Sequence, residues 1–273
     1  MLAEAKTEKL IYVSDMTNNE VYALSYRTGK MVGSVSGPSE TAGLCSDAHG
    51  NVYVTGNNEV DEFAHGGTKP IARFKYSSTE FSNCSVDPVT GKLAATMFEQ
   101  HNVAVFSNAG GNATLVPINK GTGGACAYDP KGNLYVDEGD EYIGISLEKL
   151  SVRGSSFVTL ATGISSEFGP LQWHDETLLM NVPEIQQFRV SRGQATQIGE
   201  ATLAGANSFR DVGENQFVVQ DGLVIVPFDF EQFGISPPLL GFWKYPEGTY
   251  VKAYGGLPND LLDGVAISAT SSV

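Results

Sequence analysis

Six oxygen-bearing side chains occupy related places in a repeated pattern, and together they could hold a metal ion. Each lies at or just before the stretch that opens a repeat unit: Glu40, Glu80, Asn83, Glu167, Asn207 and Asp263. Converging carboxylate and amide oxygens repel one another unless a positive charge neutralises them, and ligation by oxygen alone suits calcium. The pattern predicts a site for calcium or another divalent cation, with a rim of solvated acidic side chains as the alternative.

Aromatic residues accompany this set and predict the walls of a ligand pocket. The predicted ligand-binding residues are Phe81, Phe168, Phe228, Phe230, Phe233 and His101. Three of the Phe residues fall in a stretch at 221–240 that is longer than its counterparts, and long loops in compact folds are often lids or binding loops. The segment is therefore predicted to be a long inserted loop, with two alternatives: a plug, or an extension of a strand through "LVIV".

Groups that could perform acid, base or nucleophilic chemistry are scarce. The sequence has no nucleophile elbow, no Gly-rich phosphate loop, no paired-His metal spacing and no CxxC. Of the four His residues, His49, His65 and His174 are predicted to lie in turns far from the cation site, and His101 in an exposed turn near it. This favours a binding protein over an enzyme.

These residues would be positioned by a repeat. "DPKGNLYV" at Asp129 is echoed by "DAHGNVYV" at Asp47 and "DPVTGKLAA" at Asp87, so the three Asp residues are 42 and 40 positions apart. An Asp, a Gly-containing turn and a β-branched or aromatic run predict a hairpin. Six units of roughly 40 to 45 residues, each with four short alternating strands, indicate a β-propeller.

The two ends of the chain complete one another in this scheme. The first unit lacks its opening strand, whereas "DGVAIS" (263–268) is an orphan strand at the other end. We therefore predict an all-β, six-bladed propeller of four-stranded antiparallel blades, closed by the C-terminal strand joining the N-terminal blade. Residues 1–273 would form one domain, with 1–9 a flexible segment.

The topology of such blades sorts the loops onto two faces. One face holds the start of each innermost strand, each turn between the second and third strands, and the end of each fourth strand. This face collects acidic residues, with Lys120 almost the only cation: Asp15, Glu20, Glu40, Glu59, Glu80, Glu99, Asp137, Glu138, Asp140, Glu141, Glu167, Glu184, Asp221 and Asp263. The opposite face collects Arg27, Lys30, Lys69, Lys92, Lys131, Arg153 and Arg192. We call the first the acidic face and the second the basic face, although both sets are also explained as solvated loop charges.

The repeat resembles that of NHL-type six-bladed propellers, whose units carry a "GVAVDxxGNLYVAD…NNRIxxF" pattern. "GACAYDPKGNLYVDE", "AGLCSDAHGNVYVTGNNEVDEF" and "LIYVSDMTNNEVYAL" match it. In addition, "EFGPLQW" (167–173) is similar to a Glu-Gly-Pro-x-Trp stretch of the gluconolactonase-type lactonases, six-bladed propellers with a divalent cation at the channel. That resemblance implies a metal role for Glu167, although Phe168 is inserted and the stretch lies in the fifth unit.

Composition narrows the partners. Seventeen Lys and Arg against 31 Asp and Glu give a formal charge of −14, which opposes binding to nucleic acid. No apolar run approaches the roughly 20 residues of a spanning helix, and "MLAEAKTEK" lacks the apolar middle of a signal peptide. The sequence thus predicts no membrane span and a monomer, either cytosolic or secreted or periplasmic with its leader removed.

Three cysteines cannot all pair within one chain. Cys45, Cys84 and Cys126 lie in similar strand contexts and are predicted to be small buried side chains, as free Cys commonly is. Because Cys84 and Cys126 hold the same repeat position in successive units, a disulfide or thiol pair is the alternative.

Three functional hypotheses follow. The first is a non-catalytic propeller that binds a small molecule, a cation or a protein partner on the acidic face around the channel mouth. The second is a lactonase-like hydrolase with a catalytic cation at the channel. The third is a structural interaction platform.

Overall fold

The structure is a computed structural model that describes residues 1–97, 100–119, 121–140, 144–164, 169–181, 183–206, 216–228, 239–258 and 262–269. Within these residues the only helix is a 3-10 turn at Ala3–Lys6, and the remaining regular structure is β-strand. The prediction of an all-β fold is confirmed.

The strands are short and follow one another closely. The first eleven are β1 Leu10–Asp15, β2 Glu20–Ser25, β3 Met31–Ser36, β4 Leu44–Ser46, β5 Val52–Phe63, β6 Pro70–Val86, β7 Leu93–Met97, β8 Asn102–Phe106, β9 Thr114–Pro117, β10 Thr122–Tyr128 and β11 Leu134–Asp140. The other eleven are β12 Gly144–Leu150, β13 Val158–Ile164, β14 Leu171–His174, β15 Thr177–Met180, β16 Glu184–Ser191, β17 Gln194–Thr202, β18 Val218–Gln220, β19 Leu223–Phe228, β20 Leu239–Lys244, β21 Tyr250–Tyr254 and β22 Leu262–Ser268.

The described strands form five antiparallel sheets. Sheet I has the order β22-β1-β2-β3, sheet III β10-β11-β12-β13, sheet IV β14-β15-β16-β17 and sheet V β18-β19-β20-β21. Sheet II has six strands, in the order β4-β5-β6-β7-β8-β9. The sheets are arranged as the blades of a β-propeller, so the predicted class and the four-stranded antiparallel blade are confirmed.

Sheet II contains two long strands that each pair on both sides. In β5, residues 52–54 pair with β4 and residues 59–63 pair with residues 70–75 of β6. The last part of β6, residues 81–86, pairs with β7. The two halves of β5 and of β6 therefore take part in different strand pairs.

The first strands of the five sheets, together with β6, contact one another in a circuit around the centre. Contacts join β22 to β4, β4 to β6, β6 to β10, β10 to β14, β14 to β18 and β18 back to β22. The C-terminal strand β22 pairs with β1, with Leu10 opposite Ser268 and Val13 opposite Val265. The predicted closure of the first sheet by the last strand is present.

Apolar residues fill the spaces between neighbouring sheets. One cluster joins Tyr135 of sheet III to residues of sheet IV, and the Tyr135 ring stacks on Trp173 with centroids 5.2 Å apart. Another joins sheets IV and V around Trp243, whose Nε1–H donates to the carbonyl of Ala204 at 3.0 Å. Fully burying a large apolar side chain contributes roughly 1.5–3 kcal/mol, so these clusters are the main force that holds the sheets together.

The repeated Asp shapes each hairpin from within. Asp129 Oδ1 accepts the backbone N–H groups of Lys131 and Asn133, both at 2.9 Å, while Oδ2 accepts Asn133 Nδ2 at 2.7 Å and the Tyr135 hydroxyl at 3.1 Å. Gly132 completes the turn with φ of 80°, which glycine adopts at little cost. The residues in the spacing Asp-x-x-Gly-Asn-x-Tyr therefore place their hydrogen-bond donors around one carboxylate. Asp47 repeats the arrangement with Asn51 and Tyr53.

The segment at 1–9, predicted to be flexible, is packed against sheet I. Leu2 donates its N–H to the carbonyl of Val32 at 2.6 Å, and Ala5 is fully buried. Glu8 accepts a hydrogen bond from the Ser25 hydroxyl. The correction has a simple physical cause, since the segment buries apolar surface against β3 that the sequence pattern did not reveal.

The predicted insertion at 221–240 is in large part regular structure. Leu223–Phe228 is strand β19, and its residues pair with β20, Phe228 opposite Leu239. The alternative of a strand through "LVIV" is therefore the arrangement observed, which makes sheet V a regular four-stranded unit. Residues 229–238, including Phe230 and Phe233, lie outside the described residues.

Two of the cysteines are joined. Cys45 on β4 and Cys84 on β6 form a disulfide with their Cα atoms 5.6 Å apart, whereas Cys126 is free and buried. Burial raises the pKa of the Cys126 thiol, which keeps it protonated. The prediction of three free cysteines is therefore wrong, as is the alternative pair Cys84 and Cys126, because the strands of sheet II bring Cys45 to Cys84.

No helix in the described part of the chain has the length and apolar character needed to span a bilayer.

Candidate functional site

Side chains tie the innermost strands to one another around the channel. Gln216 Oε1 accepts the N–H groups of Leu44 at 2.7 Å and Val265 at 3.3 Å, linking β4 to β22. Gln172 makes two hydrogen bonds to the backbone of Val219 on the next sheet. These amides satisfy backbone groups of strands that do not pair directly, so they hold the channel wall together.

A second set of polar side chains recurs at the end of the second strand of each repeat unit. The equivalent residues are Ser14, Thr55, Thr96, Asp137 and Asn181, with Pro227 in sheet V. Ser14 Oγ accepts the N–H of Gly264 at 2.6 Å, and Thr55 Oγ1 donates to the carbonyl of Gly43 at 3.0 Å. We call these residues the inner polar ring. Sequence reasoning missed the ring, although aligning "YVSD", "YVTG", "AATM", "YVDE" and "LMNV" would have found it.

Asp137 is the one carboxylate of the inner polar ring, and it is fully buried. Oδ1 accepts the N–H of Ala125 on β10, and Oδ2 accepts the N–H of Gly169 at 3.3 Å. Burial raises the pKa of Asp137 to about 7, although the backbone hydrogen bonds to its carboxylate oppose the shift. The residue therefore connects sheet III to the start of sheet IV and titrates near neutral pH.

Asn181 lies beside the same backbone. A Cβ on Gly169 would come within 2.0 Å of Asn181 Oδ1, so the glycine is required for this close approach. Asn181 Oδ1 is buried and has no hydrogen-bond partner among the described residues. Its backbone N–H donates to the carbonyl of Pro170 at 3.1 Å.

A hydroxyl pair continues the ring in sheet II. Thr96 Oγ1 lies 3.0 Å from Ser82 Oγ and donates to the carbonyl of Gly124 at 3.1 Å. Asn83 Oδ1 accepts the N–H of Cys126 at 3.2 Å. The inner wall between β6 and β10 is thus polar, and its hydrogen bonds are made within the protein.

The four predicted metal ligands that the structure describes lie in different environments. Glu40 is exposed with φ of 54°, Glu80 and Asp263 are half-buried, and Asn83 is buried. Glu80 pairs with Asn57 across β5 and β6. In the described part of the chain there is no group of three or more His, Cys, Asp or Glu side chains able to hold a metal. Glu167 and Asn207 lie outside the described residues, so the metal site stays a prediction.

Some of the predicted ligand-binding residues are described by the structure, and they too lie in different environments. Phe81 is fully buried and packs edge-on against Phe106, with centroids 6.1 Å apart. Phe228 is fully buried against Trp243. His101 is exposed, and its Nδ1 contacts the carbonyl of Gly121. Phe168, Phe230 and Phe233 lie outside the described residues.

Phe81 and Phe228 belong to the hydrophobic core of the protein. Their side chains are 0% exposed, so a ligand would reach them only after a rearrangement of that core.

Four residues assigned to the acidic face do not contribute charge to its surface: Asp15, Asp137 and Glu138 are 0% exposed, and Asp221 lies on the other face. Asp221 lies in the turn between β18 and β19, on the basic face, where its carboxylate binds Lys9 Nζ at 2.7 Å. Its assignment to the acidic face was wrong because "LVIV" is the second strand of its sheet and the preceding turn is the first. The Lys9 contact lowers the pKa of Asp221.

Comparison with known proteins supports the fold. A protein of unknown function from Bacteroides caccae is 11% identical with a TM-score of 0.72, over 96% of this chain and 99% of that chain. A chain in the crystal structure of a nidogen/laminin complex is 12% identical with a TM-score of 0.73, over the same shares of the two chains. No family model matches the sequence, and no match was found among curated proteins. At these identities the similarity shows the fold alone: the chain is a β-propeller.

Proposed function

We propose that this chain is a non-catalytic, six-bladed propeller of the NHL-like kind that binds a positively charged partner on its acidic face. The partner would be a small molecule, a cation or a basic protein segment. The blade number is supported by the circuit of six innermost strands and by the two pairings of β5 and of β6, which divide sheet II into two four-stranded units.

The observation that carries the proposal is the distribution of cations. In the described residues, no Lys or Arg lies in a loop before an innermost strand or in a turn between second and third strands; Lys120 and Arg210, which precede β10 and β18 in the sequence, lie outside the described residues. The other turns contain Arg27, Lys30, Lys69, Lys92, Lys131, Arg153 and Arg192. Glu40, Glu80 and Asp263 lie on the acidic face.

A surface of one charge sign attracts partners of the opposite sign. The potential of such a face speeds encounter and selects among partners, and it acts most strongly at low ionic strength. The face is built on a ring of paired strands, and a preformed surface loses less conformational entropy on binding.

The proposal is tested by neutralising charge on one face at a time. A triple variant, Glu40→Gln, Glu80→Gln and Asp263→Asn, removes three charges from the acidic face. The matched control is Asp175→Asn, Glu176→Gln and Glu247→Gln, which removes three exposed charges from turns of the basic face. Fluorescence anisotropy with a labelled Lys- and Arg-rich peptide should show about tenfold weaker binding only for the first variant. Equal weakening in both variants would mean that binding depends on the net charge of the protein and not on the acidic face. That result would contradict the proposal.

Calcium at the channel mouth is the most specific form of this proposal. A bound ion stabilises the folded state by mass action, so calcium should raise the melting temperature by a few degrees. The variant Glu80→Gln with Asp263→Asn should lose this increase and keep its melting temperature in chelator. Identical melting of the parent protein in calcium and in chelator would exclude calcium while leaving the peptide test open.

We also propose an oxidising compartment, secreted or periplasmic, for the folded protein. The Cys45–Cys84 disulfide supports this, because disulfides persist in such compartments and are rare in the cytosol. Mass spectrometry after alkylation of the denatured, unreduced protein should detect one reactive thiol, Cys126. Three alkylated thiols in protein exported to the periplasm would contradict the proposal.

A further inference from the structure

A β-bulge recurs at one position of the outermost strands. In sheet I, Met31 lies opposite Leu24 and Gly33 opposite Ala23, which leaves Val32 as the extra residue. In sheet IV, Gln197 lies opposite Phe188 and Gly199 opposite Gln187, and Ile198 is the extra residue. The same shift leaves Ile71, Leu160 and Val251 unpaired in the other bulged strands.

In sheet I this bulged edge receives a peptide segment. Leu2 donates its N–H to the Val32 carbonyl at 2.6 Å, and Val32 is only 1% exposed. Met1 crosses directly over Gly33, where a Cβ would lie 2.6 Å from the Met1 Cα. The bulged edge in this chain therefore accepts an extended backbone, provided that the residue after the bulge has no side chain.

Sheet IV has the same bulge and following glycine on its surface, although Gly33 has φ of 154° and Gly199 does not have a positive φ. Ile198 is 42% exposed, and Gly199 follows it as Gly33 follows Val32. A Cβ on Gly199 would meet only the side chain of Gln187, with Oε1 at 3.0 Å, among the described residues. Among the described residues, only the flexible Gln187 side chain would limit a peptide that crosses over Gly199.

The other bulged strands lack this combination. Leu160 is 7% exposed and is followed by Ala161. Ile71 is followed by Ala72, and Val251 by Lys252, whose Nζ lies 4.9 Å from the centre of the Phe242 ring. Of the bulged strands described, β3 and β17 alone have glycine at the crossing position, and β3 is covered.

We propose that the outer edge of β17 binds an extended segment of a partner protein, which crosses Gly199 and donates a backbone N–H to the Ile198 carbonyl. The segment would place an apolar residue beside Ile198, as Met1 packs against the apolar cluster that contains Val32. This is strand addition to a sheet edge, in which main-chain hydrogen bonds provide affinity and one side chain provides selectivity. The site lies on the outer rim of the propeller and does not depend on the function of the acidic face.

The chain itself supplies a probe. A fluorescent peptide with the sequence of residues 1–8, MLAEAKTE, has the apolar pair that sheet I accepts. Anisotropy with the full-length protein should show saturable binding below about 1 mM. Gly199→Val should weaken it by about tenfold, because the new side chain fills the crossing point. Gly199 does not have a positive φ, so the substitution is compatible with its backbone.

A matched variant separates blocking from a general change in hydrophobicity. Gln197→Val alters an exposed neighbour on the same strand without occupying the crossing point, and it should bind the peptide as the parent does. Ile198→Asp should weaken peptide binding without adding a side chain at Gly199. This variant tests the same site if Gly199→Val proves too unstable to measure. No saturable binding, or equal affinity for Gly199→Val and the parent, would overturn the proposal.

A photoreactive group at the second residue of the peptide locates the bound segment. Cross-links to residues 194–202 support the proposal. Cross-links to residues 31–36 would show that the peptide exchanges with the segment already bound to sheet I, and would overturn it.

Discussion

Two carboxylates of the same hairpin, Asp129 and Asp137, show two different uses of a buried charge. The Asp129 carboxylate accepts four hydrogen bonds from residues 131–135 of its own turn. Asp137 instead accepts N–H groups from Ala125 on the neighbouring strand and from Gly169 in the next sheet. The first carboxylate shapes a local turn, whereas the second connects two blades.

This difference explains why one residue is repeated and the other is not. The turn Asp recurs at Asp47 and Asp87 because every such hairpin needs acceptors for the N–H groups of its own turn. At the position of Asp137 the other units have Ser14, Thr55, Thr96 and Asn181, since each blade junction presents different backbone groups. Local geometry repeats with the sequence, and junction geometry does not.

The largest effect is expected at the turn. Asp129→Ala removes the acceptor for buried Asn133 and for Tyr135, so it should lower the free energy of unfolding by about 4 kcal/mol. Asp129→Asn keeps one acceptor oxygen for the two backbone N–H groups and should cost less than half as much. Urea denaturation of the three proteins measures the difference, and a loss below about 1 kcal/mol for the alanine variant would contradict the assigned role.

The contribution of Asp137 to the free energy of unfolding should depend on pH. Its pKa is raised from 3.8 to about 7 in the folded state, so the folded protein binds more protons between these values. The stabilising contribution of the neutral acid is complete below pH 3.8 and is lost as the pH rises through about 7. Between pH 5 and pH 8 the loss should be about 3 kcal/mol.

The matched variant for this prediction is Asp137→Asn. It loses one of the two acceptors at every pH, but its stability should no longer fall over this pH interval. Urea denaturation at pH 5 and pH 8 gives the two slopes. Parallel slopes for parent and variant would show that another group is responsible.

The smallest effect on the free energy of unfolding is expected at a position of the inner polar ring that has an uncharged side chain. Thr96→Val keeps the shape of the side chain but removes the donor to the Gly124 carbonyl, and it should cost about 1 kcal/mol. Thr114→Val, on an exposed edge strand, is the control and should be close to neutral. A similar cost for both would mean that the blade junction gains nothing from the hydroxyl.

The sequence predicted the repeated unit, and the structure confirms its hairpins. Asp, Gly and alternating apolar residues within eight positions suffice because all the interactions of the turn are local. The closure between β22 and β1 was also predictable, since an unpaired strand remained at each end. Leu223–Phe228 was misread as a loop because its "LVIV" run has no alternation, as expected for a strand buried on both faces.

The candidate site was less predictable. Glu40, Glu80, Asn83 and Asp263 were chosen by their place before innermost strands, and the sequence could not show that Asn83 Oδ1 already accepts the N–H of Cys126. Asp137 was assigned only to the acidic face, because nothing in its own hairpin reveals the N–H of Gly169. The Cys45–Cys84 disulfide was missed for the same reason, since it depends on how β4 and β6 meet.

The sequence by itself determined the hairpins and the number of strands in a unit, because both depend on residues close together in the chain. Tertiary structure decided which carboxylate is buried, which cysteines pair, and which bulged edge is covered by residues 1–2. These outcomes depend on backbone groups that are distant in sequence and meet only when the ring of sheets has closed.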